Sequence, residues 1–307
     1  MNIIVLGKAL KGIQTYVCYS LSLHQTKNMK TICVCGAGTM GSSIAQVAAQ
    51  AGYKTIQFDV NETTLQKSNT AIKKNLQTLV EKNRIAEQDK TNTLNNLIFT
   101  SNIAECIADM VIEAIVEKKE AKLDLFQLLN NINTPQTIFA TNTSSISINE
   151  MATAIEHPHR LVGMHFFNPA TLMKLVEVIK ADATSNEVVD TVLTVCKQMN
   201  KTAVVCIDSP GFIVNRVARH YYLEAMKLIE LNLATIETVD AVMENCGFKM
   251  GPFKLMDLIG MDINFGVSNI VYEAMGKPAR LQPSIIQQQK VEAGELGKKT
   301  GKGFHEY

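Results

Sequence analysis

From residue 30 to residue 208, short apolar runs alternate with longer stretches in which apolar side chains return every three or four positions. The first pattern is that of strands buried on both faces, the second that of amphipathic helices. Strands are predicted at Thr31 to Cys35, Lys54 to Phe58, Met110 to Val116, Thr137 to Ala140, Arg160 to His165, Leu175 to Ile179 and Thr202 to Cys206. Helices are predicted at Ser42 to Gln50, through Val60 to Lys90, and at Glu120 to Asn130. Such alternation predicts an α/β domain on a mostly parallel sheet. Ser209-Pro210-Gly211 breaks the pattern, and no strand-length β-branched run follows. Helices are predicted from Phe212 to Leu231, from a Thr235 cap toward Asn245, and from Gly251-Pro252 through Asp257, which makes 209–307 an all-α domain. The Gly- and Lys-rich ending from Leu296 to Phe304 reads most simply as a solvated tail.

Residues 1–29 stand apart. Their charges before Met29 are Lys8, Lys11 and Lys27, and their apolar run Ile3-Ile4-Val5-Leu6 precedes the basic residues, the reverse of a secretory signal. A mitochondrial leader would carry arginines, and this segment has none. The segment is read as an appendage to a cytoplasmic protein, with the mitochondrial matrix as the alternative if it is a leader.

Thirty basic and 29 acidic residues give a formal charge of +1, with no long single-sign run, so neither nucleic acid nor a membrane surface is an expected partner. No apolar run reaches the roughly eighteen residues of a membrane span. The seven cysteines lack any C-x-x-C spacing and read as free thiols, with Cys33 and Cys35 as core residues of a strand.

Gly36-Ala37-Gly38-Thr39-Met40-Gly41 follows the first predicted strand and opens the first helix. In that context Gly36 permits the tight turn, Gly38 lets the backbone approach a pyrophosphate, and Gly41 allows helix to pack on strand. The second strand ends at Asp59, eighteen residues after Gly41, where a carboxylate holds the ribose hydroxyls of NAD and repels the 2′-phosphate of NADP. The order strand, glycine turn, helix, strand and Asp predicts a Rossmann-type NAD-binding domain over 30–208. Further on, Asn142-Thr143-Ser144-Ser145 and His165 end two strands at the same sheet edge, where open α/β sheets bind ligands.

His165 suits an acid/base role because an imidazole ordinarily titrates near neutral pH. His157 and His159 flank Pro158, and with no nearby carboxylate or thiol they do not read as a metal site; no metal is expected.

With these motifs the chain resembles the short-chain L-3-hydroxyacyl-CoA dehydrogenases, in particular the bacterial 3-hydroxybutyryl-CoA dehydrogenases, over residues 30–307. The resemblance is carried by the glycine segment, Glu113-Ala114-Ile115-Val116-Glu117, Asn142-Thr143-Ser144-Ser145, His165-Phe166-Phe167-Asn168-Pro169, Met173-Lys174-Leu175-Val176-Glu177, Ser209-Pro210-Gly211-Phe212 through Asn215-Arg216, Met250-Gly251-Pro252 and Lys298-Lys299-Thr300-Gly301. It implies an NAD-dependent oxidoreductase acting on an acyl-CoA, with a cleft between the domains and a homodimer formed by the helical one. It further implies that Glu177 orients the His165 imidazole, that Ser144 and Asn215 hold substrate, and that Lys82 is available for a CoA phosphate. Glu117, Lys122, Ser144, Asn168 and Lys299 are implied beside the cofactor, together with Gly36, Gly38, Thr39, Met40, Gly41 and Asp59. The chain departs from this pattern at Asn75, where mitochondrial relatives carry a serine touching CoA, and at Lys254, where a glutamate is common. Acyl length is left open, including a dicarboxylic substrate such as 3-hydroxyadipyl-CoA. Alternatives are another β-hydroxyacid dehydrogenase, which would use a catalytic lysine, and a non-catalytic NAD-binding relative.

Overall fold

The computed structural model describes residues 29–307, so the expectations about residues 1–28 lie outside the described residues. The first part of the chain runs β1 (Thr31–Cys35), α1 (Thr39–Gln50), β2 (Lys54–Phe58), α2 (Glu62–Glu81), α3 (Glu87–Asn95), β3 (Leu97–Thr100), β4 (Met110–Glu113), α4 (Lys119–Ile132), β5 (Ile138–Thr141), α5 (Ile148–Ala152), β6 (Leu161–Phe166), β7 (Leu175–Lys180), α6 (Asn186–Gln198) and β8 (Thr202–Ile207). The strands form one sheet in the order β3-β2-β1-β4-β5-β6-β7-β8. Every pair is parallel except β6–β7. The chain passes from β6 to β7 in residues 167–174, too short for the helical crossover a parallel pair needs, so β7 must turn back.

Side chains alternate across each strand, so β1 sends Ile32 and Val34 to one helical layer and Cys33 and Cys35 to the other. The described cysteines are free. Helix starts are fixed locally: Asn61, Ser185 and Thr235 each accept a backbone N–H from the first turn of the helix that follows.

Three features depart from the sequence pattern. The helix expected through Val60 to Lys90 is two helices, because Asn83 turns the chain at a positive φ of 54° and Asp89 caps the restart by accepting the Ala86 N–H. Strand β3 escapes the pattern because it lies at the sheet edge with Ile98 exposed, so it lacks a continuous buried run. The ending is not a solvated tail. Gly297 and Lys302 form a β-bridge, and Asp257 accepts the N–H groups of Phe304 and His305 at 2.8 Å each.

Beyond β8 the described elements are helices: α7 (Val214–Glu230), α8 (Ile236–Asn245), α9 (Pro252–Ile259), α10 (Met261–Ala274) and α11 (Ile285–Glu292), with short 3₁₀ turns. They share a separate core around Met226, Phe253, Met256 and Met261. Lys254 pairs with Glu244 of α8 at 2.9 Å, which gives the lysine at this position a local role in joining α8 to α9.

Candidate active site

The parallel strands deliver their C-terminal ends to one edge, and the site is built there. Between β1 and α1 the chain turns at Gly36 with φ +104°, where a Cβ would lie 2.4 Å from the Ala114 carbonyl oxygen. A Cβ on Gly41 would lie 1.9 Å from the Gly36 oxygen, so glycine is required at both positions. Nothing stands within 4 Å of a Cβ at Gly38, and that gap faces the start of α1. α1 has no capping side chain and no acidic residue in its first turn, unlike α2, α6 and α8. Its free N–H groups, carried by residues such as Thr39, Met40 and Gly41, and its positive dipole end suit a pyrophosphate. Asp59, at the end of β2, accepts the Ala37 N–H at 2.8 Å through Oδ2 and the Asn61 N–H at 2.9 Å through Oδ1. Its carboxylate is thus fixed beside the glycine turn where a ribose would lie. These features fit NAD.

His165 and Glu177 are partners in the β6–β7 register, directly across the antiparallel pair. Nδ1 of His165 lies 2.8 Å from Oε2 of Glu177, both residues are buried, and Phe167 and Phe212 flank the imidazole with ring centroids at 4.6 and 5.8 Å. Oε1 of Glu177 accepts the N–H groups of Ile213 and Val214 at 2.9 and 2.8 Å. Burial pushes the Glu177 carboxyl up, but the hydrogen bonds from His165, Val214 and Ile213 outweigh it and hold the group below the usual carboxylate range. An ionised carboxylate can only accept, so Nδ1 carries a proton, and in the neutral ring Nε2 presents the lone pair. Asn142 holds the end of β6 beside this pair, its Oδ1 accepting the Phe166 N–H at 2.9 Å.

A second cluster lies at the ends of β4 and β5. Glu117 Oε1 accepts Thr143 Oγ1 at 2.6 Å, the Ser144 N–H at 2.9 Å, and the hydroxyls of Ser144 and Ser145 at 3.2 Å each. Lys122 lies behind it, its Nζ 2.6 Å from Glu113 Oε1 and 3.1 Å from Glu117 Oε2. Burial would raise the Glu117 carboxyl, yet Lys122 and the donors from Thr143 and Ser144 keep it below the usual range. Asn215 crosses from α7, its Nδ2 donating to the Ser144 carbonyl at 3.3 Å.

The site residues anticipated from the sequence are therefore not placed alike. The glycine turn and Asp59 stand at one end of this edge, and His165, Glu177, Ser144 and Asn215 converge at the other. Lys122 is only 1% exposed and reaches the cleft through Glu117 rather than by its own ammonium. Asn168 is exposed next to a cis Asn168–Pro169 bond. Lys299 Nζ pairs with Asp262 Oδ1 at 2.5 Å at the start of α10. Lys82 is exposed at the end of α2. Asn75 donates to the buried Gln46 at 3.0 Å, which ties α2 to α1 and engages the amide at the position of departure. Glu113 was missed by sequence reasoning as a residue of this cluster; a carboxylate ending an apolar strand was the available signal. Among the described residues no cluster of three or more His, Cys, Asp or Glu side chains could hold a metal. No described helix is long and apolar enough to cross a membrane.

The site thus joins a dinucleotide cradle that fits NAD to a buried imidazole–carboxylate pair on the same sheet edge. The model of the 3-hydroxyacyl-CoA dehydrogenase NAD binding domain matches residues 31–209, and that of the 3-hydroxyacyl-CoA dehydrogenase C-terminal domain matches residues 211–307. The chain belongs to the 3-hydroxyacyl-CoA dehydrogenase family. It is 43% identical over 282 residues to the 3-hydroxyadipyl-CoA dehydrogenase of Escherichia coli, covering 91% of this chain but only 59% of that protein. The mitochondrial hydroxyacyl-coenzyme A dehydrogenase of Rattus norvegicus is 39% identical over 287 residues, 91% of each chain. Among solved structures, a 3-hydroxybutyryl-CoA dehydrogenase from Escherichia coli superposes with a TM-score of 0.89 at 42% identity, over 91% of this chain and 60% of that one.

Proposed function

We propose that this protein interconverts a short-chain (S)-3-hydroxyacyl-CoA, in the simplest case 3-hydroxybutyryl-CoA, and the corresponding 3-oxoacyl-CoA. The observation that carries the reading is the 2.8 Å contact between His165 Nδ1 and an ionised Glu177, which leaves Nε2 as the base. NAD, when bound, supplies the hydride acceptor for C3. His165 Nε2 takes the proton of the 3-hydroxyl as the C3 hydride departs, and returns it to the oxygen in the reductive direction. Glu177 orients the ring and stabilises the imidazolium that forms. Ser144 and Asn215 supply neutral hydrogen-bonding groups for the thioester carbonyl and C3 oxygen in a partly dry cleft. Asp59 takes the adenosine ribose, Glu117 with Lys122 behind it and Lys299 lie beside the cofactor, Asn168 lies near the nicotinamide and the His165–Glu177 pair, and Lys82 meets a phosphate of CoA. The setting is cytoplasmic fatty acid β-oxidation or butanoate metabolism.

The helical domain also pairs with a second copy of the chain. Support comes from Val217 of α7 and Ile263 and Ile270 of α10, which are 65%, 53% and 42% exposed.

The test is loss of NADH absorbance with acetoacetyl-CoA, repeated with free acetoacetate and with NADPH. Rapid loss that requires both the thioester and NADH is the expected result. No turnover of the thioester by protein shown to bind NADH would overturn the reading.

A further inference from the structure

Three charged side chains around the ends of β4 and β5 hold an excess of negative charge. Glu113 Oε1 accepts from the Lys122 ammonium at 2.6 Å and from the Ile115 N–H at 2.7 Å, and its Oε2 accepts from the Thr141 hydroxyl at 2.6 Å. Lys122 also reaches Glu117 Oε2 at 3.1 Å. Two carboxylates thus share one ammonium, which leaves the cluster a formal charge of −1. Glu113 and Lys122 are buried, so water and salt screen their part of it little. Burial alone would raise the Glu117 carboxyl, but Lys122 and the donors from Thr143 and Ser144 hold it below the usual range, and it is charged at neutral pH. Lys299, the other lysine read as lying beside the cofactor, already has its own carboxylate in Asp262.

The sheet places this charge where the nicotinamide has to lie. The strands run β1-β4-β5-β6 across the site, with the glycine turn after β1 and His165 near the end of β6. Neighbouring strands lie about 4.8 Å apart, so the turn and the imidazole are separated by about 14 Å. A dinucleotide anchored at the turn and meeting substrate at His165 must lay its nicotinamide across the ends of β4 and β5. The near side of that path is closed by a tight contact: a Cβ on Gly36 would lie 2.4 Å from the carbonyl oxygen of Ala114, which precedes Glu117 by one short turn of chain. The far side is Ser144, whose N–H and hydroxyl donate to Glu117 and whose carbonyl accepts Asn215 Nδ2 at 3.3 Å. Glu117 therefore stands within about one strand spacing of the ring.

The two forms of the cofactor differ in charge at that ring. Nicotinamide is cationic in NAD+ and neutral in NADH, so a fixed negative charge beside it favours the oxidised form. We propose that the Glu113–Lys122–Glu117 cluster tightens the site on NAD+ relative to NADH, which makes bound NADH the stronger reductant and shifts the equilibrium on the enzyme toward the 3-hydroxyacyl thioester. In that direction the hydride, with its electron pair, passes from the reduced ring to C3, the old C–H bond breaking as the new one forms, and the C3 oxygen takes its proton from His165. Glu117 faces the ring, and Glu113 and Lys122 are positioning residues that act through it. This rests on the placement of the nicotinamide given under Proposed function and concerns the direction of the reaction proposed there. An opposite charge within about 4 to 6 Å shifts such an equilibrium by about tenfold or more. Glu117 is 38% exposed, so solvent takes part of this, and the expected effect is at the lower end, about tenfold.

The experiment titrates the full chain with NAD+ and with NADH and takes the ratio of the two dissociation constants. In Glu117→Gln, NAD+ should weaken relative to NADH by about tenfold. Glu117→Asp keeps the charge and should keep most of the native ratio, and Glu113→Gln should move the ratio as Glu117→Gln does, but by less. A side chain that only shapes the pocket would weaken both forms alike, so an unchanged ratio in folded Glu117→Gln overturns the proposal. The wild type supplies a test that needs no variant to fold. Benzamide adenine dinucleotide, a neutral isostere of NAD+, should bind about tenfold more weakly than NAD+, and equal or tighter binding would overturn the proposal. These titrations involve no turnover, so their failure leaves the reaction class standing. Failure to reduce acetoacetyl-CoA in protein that shows the expected ratios would instead remove the reaction and leave the charge effect in place.

Discussion

Glu177 lies directly across the β6–β7 ladder from His165, and it meets the imidazole with one oxygen and the start of α7 with the other. One carboxylate thus orients the imidazole and anchors the helix that carries Asn215. His165→Gln removes the proposed base but leaves the nucleotide half of the site untouched. NADH affinity by fluorescence titration should stay near native while kcat falls about 10²- to 10⁴-fold. Near-native turnover would remove His165 from the mechanism.

Glu177 also makes stability depend on pH. Burial raises its carboxyl, but its hydrogen bonds win and its pKa in the folded protein is lowered. A group whose folded pKa is depressed contributes stability that is present above its unfolded pKa and lost as pH falls through the folded value. The wild type should therefore lose stability below roughly pH 4.5 more steeply than Glu177→Gln, which has no proton to bind there. Urea midpoints at neutral pH and across the acid range test this, and parallel curves for the two proteins would contradict it.

The arrangement of this pair marks where the sequence was and was not legible. Twelve residues separate His165 from Glu177, and the strand patterns around both were visible. The shortness of residues 167–174, which forces the antiparallel return and so the register, carried the contact. The glycine turn and Asp59 were legible because each residue answers a local backbone or charge demand. Lys122 was legible only through the resemblance, and the burial of Glu113 not at all, because a buried charge is identified by what surrounds it across the fold. The polar ending 296–304 misled for the same reason: its N–H groups are received by Asp257, 47 and 48 residues away from Phe304 and His305.

Asp59 should decide the choice of nucleotide. Its carboxylate is held by two backbone N–H groups and cannot swing away from a 2′-phosphate without giving them up. The kcat/KM with NADH is expected to exceed that with NADPH by about 100-fold or more, and Asp59→Ala should narrow the gap mainly by weakening NADH. Equal kcat/KM for the two nucleotides in the wild type would rule the role out.

The exposed apolar side chains of α7 and α10 predict association. Val217, Ile263 and Ile270 are larger and more exposed than solvated helix faces require. Light scattering at micromolar concentration should give twice the chain mass, and Val217→Glu combined with Ile263→Glu should shift it toward the monomer. A wild-type monomeric mass would refute the pairing.

Lys122 holds two carboxylates together, and its removal should be felt in two ways. Glu113 is fully buried, its Oε1 accepting the Ile115 N–H at 2.7 Å and its Oε2 the Thr141 hydroxyl at 2.6 Å. Without the ammonium, two nearby carboxylates face each other with their shared counter-ion gone. Breaking a buried pair in this way costs about 3 to 5 kcal/mol, so Lys122→Met should lower the urea midpoint markedly. Glu117 also organises Ser144, so the variant should raise KM for the thioester at temperatures where it remains folded. Ser144→Ala and Lys122→Met should then be less than additive in kcat/KM, because both act on the same hydroxyl. Full additivity in a folded double variant would confine Lys122 to holding the fold and would detach it from the substrate.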